Sequence, residues 1–109
     1  MARFLKMKLE KRGVLKVKLA GIIEVSPADM KIYERISKRI TDRKRKSLTA
    51  LYFDFSEIEY VTDPGVGLLI KLYVEAKKMG ISEVRFLKTK PRQKEKFRQM
   101  GIDRVFIID

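Results

Sequence analysis

Cysteine and histidine are both absent from this chain of 109 residues. Without cysteine there is no disulfide, thiol nucleophile or thiolate ligand, though compartment stays open. Without histidine no imidazole can act as general base, as partner of a nucleophile or as metal ligand. The two absences together argue against hydrolase triads and zinc sites. No apolar run approaches the roughly 20 residues of a membrane helix. The opening MARFLKMKLEKRG lacks the uninterrupted apolar core and small-residue cleavage site of a signal peptide. The expectation is a cytoplasmic protein with no membrane partner. No Walker loop or dinucleotide glycine pattern occurs, and Gly65-x-Gly67 alone is too weak to claim nucleotide binding. No cofactor and no metal are expected.

Acidic residues are outnumbered: 14 Asp and Glu face 26 Lys and Arg, a net charge of +12. So basic a balance points to acidic partners, nucleic acid or an acidic protein face. Abundant Lys, Arg and Glu without Cys also resembles proteins built for high temperature. That reading explains the charge content but not its sign. Hydrophobic residues make up 45% and charged residues 37%, which is globular rather than disordered. The length suits one domain, residues 1–109, with its own core.

The chain is organised around Leu51 to Met79. Leu51, Tyr52, Phe53 and Phe55 suit a central strand. Ser56 to Tyr60 reads as a link, and Val61 returns to the core. Asp63 is the expected N-cap, with a helix starting at Pro64, whose fixed φ is already helical. Its apolar positions are Val66, Leu68, Leu69, Ile70, Leu72, Tyr73, Val74, Ala76 and Met79, against Lys71, Glu75, Lys77 and Lys78. Gly67 projects to the polar side with Lys71 and Val74. A glycine there costs about 1 kcal/mol against alanine. It marks a tolerated imperfection, a close helix–strand approach, or a flat spot where a partner docks.

Before this stretch, Leu5, Met7 and Leu9 alternate with Lys6, Lys8 and Glu10, and Val14, Leu15, Val17 and Leu19 with Lys16 and Lys18. Joined by a turn at Lys11-Arg12-Gly13, they read as an antiparallel hairpin, continued through Ile22, Ile23 and Val25. Ser26-Pro27 opens a helix carrying Ile32, Ile36 and Ile40 on one face. The run Asp42 to Lys46 reads as a solvated loop rather than a nucleic-acid patch. After the central helix Gly80 is a stop. Val84, Phe86 and Leu87 form a strand. Arg92 to Met100 form a third helix anchored by Phe97 and Met100, and Val105 to Ile108 a last strand. The order β β α β α β α β predicts an α/β fold, with a mixed, mostly parallel sheet, an N-terminal hairpin and about three helices. Partners of such sheets meet the loops at the carboxyl ends of the parallel strands. Here those loops are Val25–Pro27, Val61–Gly65 and Lys88–Pro91.

This layout resembles the STAS domain, the fold of bacterial anti-sigma factor antagonists and of a domain in sulphate transporters. The resemblance runs from about Val14 to Ile108. It is carried by Val17 to Glu24, Phe53 to Ser56, Val61 to Leu69 and Phe97 to Ile102, in order and spacing together. It implies a non-enzymatic, protein-binding module in transcription regulation. Its partner would be an anti-sigma factor or a related serine-kinase-like regulatory protein, and a homodimer is a further option. In the family, phosphorylation of a serine in the turn releases the antagonist. A phosphate adds close to two negative charges at the contact. With Gly65 and Gly67 aligned to the family's two glycines, Pro64 stands at the phosphorylated position, Asp63 before it and Thr62 at the aspartate. Proline has no hydroxyl, so no phosphosite is carried over, and Thr62 is a weak substitute. The implied partner-binding residues are Ser26, Thr62, Asp63, Pro64, Gly65, Val66, Gly67 and Lys71.

The alternative is nucleic-acid binding through Arg85, Lys88, Lys90, Arg92, Lys94, Lys96 and Arg98, where no aromatic residue interleaves for base stacking. An enzyme is the weakest reading. Asp54, Glu57, Glu59 and Asp63 cluster in sequence, but solvated or capping roles suit them better than Mg²⁺ binding.

Overall fold

The computed structural model describes residues 1–42 and 48–109. Of the charge run from Asp42 to Lys46, residues 43–46 lie outside the described residues. Five strands form one sheet in the order β1 (Ala2–Glu10), β2 (Val14–Ile23), β3 (Ala50–Val61), β4 (Glu83–Leu87), β5 (Ile107–Ile108). The β1–β2 pair is antiparallel and the other three pairs are parallel. Helices α1 (Pro27–Ile40), α2 (Asp63–Lys78) and α3 (Pro91–Gln99) connect the parallel strands. This is the α/β fold that the residue pattern predicts, with its N-terminal hairpin.

Alternation divides the sheet. Leu15, Val17, Leu19, Leu51, Phe53, Phe55, Val84 and Phe86 are buried on one face. They form one core with Ile36 and Ile40 of α1, Leu69, Leu72 and Ala76 of α2, and Phe97 of α3. Phe86 sits at its centre, stacked on Phe55 and Phe106 and edge-on to Phe53 and Phe97. The other face carries Lys6, Lys8, Lys16, Lys18 and Asp54 around a cleft lined by strand residues.

Several expectations are corrected. Residues 56–60 are not a link but the second half of β3. Bulges in the β2–β3 ladder break the two-residue period there. The buried positions run Phe55, Ile58, Val61, a spacing that does not read as a strand. Helix α2 begins at Asp63, one residue early, and its N-cap is Thr62. Ile70 and Val74 are 38% and 44% exposed rather than in the core. Leu5 and Leu9 are exposed on the edge strand, which leaves Met7 and Phe4 to pack inward from β1. In α3 only Phe97 of the two expected anchors is buried; Met100 follows the helix and is 41% exposed, while Gln93 is buried instead. The last strand is only Ile107–Ile108, because Val105 and Phe106 turn the chain so that Phe106 enters the core. Among the described residues nothing beyond its own helix comes within 4 Å of where a Cβ on Gly67 would stand, so no strand approaches it there. The close approach lies at Gly65, where a Cβ would stand 2.2 Å from the Ile23 carbonyl oxygen.

Candidate functional site

The carboxyl ends of β2 and β3 meet the start of α2 at one corner. Thr62 organises it. Its N–H donates to the Ile23 carbonyl at 2.9 Å, and its hydroxyl donates to the same oxygen at 3.3 Å. The hydroxyl oxygen also accepts from the Gly65 N–H at 3.0 Å, the bond that caps α2. The missing side chain of Gly65 is what lets α2 press against Ile23. Asp63 and Pro64 then occupy the first turn, both exposed. Asp63 places its carboxylate at the positive end of the helix, where negative charge is favoured.

A third element closes the corner. Lys96 of α3 reaches across to donate to the Val61 carbonyl at 2.6 Å and to the Tyr60 hydroxyl at 3.0 Å. It forms an ion pair with Asp63 at 3.1 Å and lies over the Tyr60 ring, 4.3 Å from its centre. Burial opposes the Lys96 charge, but the Tyr60 hydroxyl and the Asp63 carboxylate outweigh it and raise its pKa. Lys90 and Gln93 both donate to the Ile58 carbonyl, at 2.9 and 3.0 Å. Thus α3 binds β3 through the polar second half that the residue pattern missed.

Beyond the turn, the outer side of α2 presents Gly67, Ile70, Lys71 and Val74, all exposed. Lys71 leans towards α1, its ammonium 5.6 Å from the centre of the Tyr33 ring. Tyr33 ties the two helices through Glu75: burial, then the hydrogen bond and charge of Glu75, push its phenol upwards. Val66 is buried beneath the strip. Ser26 lies at the neighbouring helix start, its oxygen accepting from the Asp29 N–H at 3.1 Å. The Asp29 carboxylate, buried, accepts from the N–H groups of Ala2 and Glu24, both at 2.8 Å. The structure therefore brings Thr62, Asp63, Pro64, Gly65 and Gly67 to one corner and runs Lys71 on from it. Ser26 belongs to the adjoining loop, and no hydrogen bond joins it to the turn among the described residues.

Two residues of this corner, Ile23 and Tyr60, carry no sequence signal as site residues, and Lys96, expected only on a nucleic-acid surface, belongs to the corner instead. Lys96 and Val61 are 35 positions apart, and no local pattern links them. The basic set does not form one free surface. Lys90 and Lys96 are bonded to β3 carbonyls, and Arg98 to Glu95 at 3.0 Å. Arg85 pairs with Glu83 and with Asp109 at 2.7 Å. Lys88, at a left-handed φ of 56°, acts on the Asp54 carboxylate on the open sheet face. Arg92 and Lys94 are exposed on α3. Among the described residues no three of Asp, Glu, His and Cys gather as metal ligands do. No helix there is long and apolar enough to cross a membrane.

The fold has solved relatives. The anti-sigma factor antagonist SpoIIAA in its unphosphorylated form is 19% identical, with a TM-score of 0.67 over 94% of this chain and 97% of that one. An anti-sigma factor antagonist from Mycobacterium paratuberculosis is 23% identical, with a TM-score of 0.73 over 99% and 85%. The SulP transporter STAS domain from Vibrio cholerae is 16% identical, with a TM-score of 0.65 over 87% and 69%. At these identities the likeness concerns the fold. No curated protein matches the sequence. The family model of the STAS domain matches residues 7–109, from the second half of β1 through all three helices and the capped corner, and the chain belongs to that family.

Proposed function

We propose that this STAS domain is a binding module of the antagonist kind, acting in transcription regulation by contact rather than by chemistry. Its partner is an anti-sigma factor or a related serine-kinase-like regulatory protein, met in the cytoplasm. The contact is the 62–67 turn with the outer side of α2. The observation that supports this is the exposed strip of Pro64, Gly67, Ile70 and Val74, with open space over Gly67. Apolar side chains beside a bare stretch of helix let a partner approach the backbone closely. Asp63 and Lys71 at its rim would set orientation.

Solved antagonists include SpoIIAA in phosphorylated and unphosphorylated forms. Here Pro64 carries no hydroxyl, and the Thr62 hydroxyl is already engaged on Ile23 and Gly65. A phosphate on Thr62 would break the cap of α2. Binding is therefore constitutive with respect to this turn.

The test is co-purification and native mass spectrometry against candidate anti-sigma kinases. Wild type should capture one, and Asp63→Lys with Gly67→Arg should lose it while staying folded by circular dichroism, at a lowered melting temperature because the Lys96 ion pair and the favourable charge at the start of α2 are gone. Capture of none, or capture unaffected by the double change, would sink the proposal. Incubation of the wild type with that kinase and ATP should leave residue 64 unlabelled, whereas Pro64→Ser should accept phosphate. A Pro64→Ser protein that stays unlabelled would show that the turn does not fit a kinase.

A further inference from the structure

The sheet face turned away from the helices holds a cleft of about 210 Å³. Its walls are Lys6, Lys8 and Glu10 of β1, Lys16 and Lys18 of β2, and Asp54 of β3. The antiparallel register sets Lys6 opposite Lys18 and Lys8 opposite Lys16. Directly opposed residues hold their Cβ atoms about 4.5–5.5 Å apart, and like charges so placed destabilise a sheet. Alternate residues along one strand stand about 6.7 Å apart. Four ammonium groups thus rise from a patch about 5 by 7 Å across.

Among the described residues none of the four lysines makes a hydrogen bond or an ion pair. This separates them from Arg85, Lys90, Lys96 and Arg98, which are all engaged within the fold. The counter-charges in the cleft are Glu10 at the rim and Asp54 at the floor. Asp54 is 5% exposed and accepts the Ser56 N–H at 2.9 Å with one oxygen. One buried carboxylate and one rim carboxylate leave the four opposed ammonium groups undercompensated.

We propose that this cleft binds a compact polyphosphate, an anion of two or three linked phosphate groups. Lysine ammonium groups are mobile point charges on flexible stems, able to converge on adjoining phosphates from both strands. A bound polyanion removes the repulsion across the hairpin, so binding stabilises the fold. The cleft has the volume of a small ligand and its own lining is charged throughout; Tyr52, paired with Lys16 in the β2–β3 ladder, lines the adjoining hollow with Lys8 and Glu10. The four lysines recognise the phosphate chain, free or as the tail of a nucleotide. The site shares no residue with the 62–67 turn, so it stands apart from the partner contact proposed above.

The experiment is calorimetry and thermal melting with sodium tripolyphosphate at 50 and 300 mM NaCl. Binding should be one to one and weaken about tenfold or more between the two salts, as phosphate contacts by several lysines require. The melting temperature should rise well beyond that given by sulfate of equal ionic strength. Lys8→Gln with Lys16→Gln removes one opposed pair. It should weaken binding about tenfold while leaving the free protein at least as stable, since a like-charge pair is lost. Asp54→Asn keeps an acceptor for Ser56, removes the floor charge and should tighten binding severalfold. Lys31→Gln with Lys38→Gln on α1 lowers net charge equally and should change nothing beyond about twofold. ATP should bind as tripolyphosphate does. The proposal fails if tripolyphosphate acts no differently from sulfate, or if the α1 control weakens binding as much as the cleft variant. It fails too if ATP binds where tripolyphosphate does not, or if a short DNA duplex binds through these lysines more tightly than tripolyphosphate.

Discussion

Alanine at Gly65 and alanine at Gly67 should move stability in opposite directions, although the two glycines share one helix and lie two residues apart. At Gly65 the added methyl would stand 2.2 Å from the Ile23 carbonyl oxygen and 2.8 Å from its carbon. Both are backbone atoms, so no side chain can rotate out of the way. The helix must back off from β2. That stretches the Thr62 N–H bond to Ile23 at 2.9 Å and disturbs the cap on the Gly65 N–H at 3.0 Å. Overpacking costs about 1–3 kcal/mol, here towards the upper end. A weakened cap adds about 1 kcal/mol. Alanine's helix preference returns about 1 kcal/mol. The net expectation is a loss of about 2–3 kcal/mol, or a Tm lower by roughly 10 °C or more for a domain of this size. At Gly67 no described residue beyond its own helix comes within 4 Å of the added methyl, so only the helix preference acts. The gain is about 0.5–1 kcal/mol and a few degrees. Urea unfolding and thermal melts followed by circular dichroism measure both. A Gly65→Ala midpoint equal to or above the wild type would refute the close approach. A destabilised Gly67→Ala would refute the open space claimed for the docking strip.

Phe86→Ala should cost about 3–5 kcal/mol by urea unfolding, since it removes the ring at the centre of the aromatic cluster. Asp29→Ala should cost about 2–4 kcal/mol, because the Ala2 and Glu24 N–H groups lose their acceptor; amide exchange at both positions should quicken, and unchanged exchange would count against the assignment. Burial raises the Asp54 pKa, but hydrogen bonds from Ser56 and the charges of Lys88 and Lys18 outweigh it and hold it below its ordinary 3.8. A depressed carboxyl stabilises the fold above the unfolded value, and that contribution disappears as pH falls through the folded one. The stability difference between wild type and Asp54→Asn should therefore be flat above about pH 5 and shift against the wild type below 3.8; a constant difference down to pH 2 would contradict it.

Much of the architecture could be read from local signals. Proline after a capping residue announced α1 and α2, and Gly80, at φ 83°, ends α2. Alternating lysines and aliphatics announced β1 and β2. The resemblance that pointed to the STAS fold rested on the order of these signals. The reading faltered where a neighbour overrode the local period. Bulges against β2 carried β3 through Ser56 to Tyr60. Thr62 took the cap from Asp63 because its hydroxyl could serve Gly65 and Ile23 together. Ile70 and Val74 fit a helical stripe equally well inside or outside, and only the packing of α1 on α2 left them exposed.

By itself, then, the sequence determined the elements and their order, because capping, turn chemistry and hydrophobic period act over a few residues. It also determined that position 64 has no hydroxyl. Only the tertiary structure decided what meets what. It joined Lys96 to the 62–63 corner, tied α3 to the Ile58 carbonyl and made Gly65 the point of closest contact. It also set four lysines face to face across the hairpin. Such pairings depend on strand register and on which helix crosses which strand. Those are settled by burial of the whole core at once and leave no mark in the residues beside them.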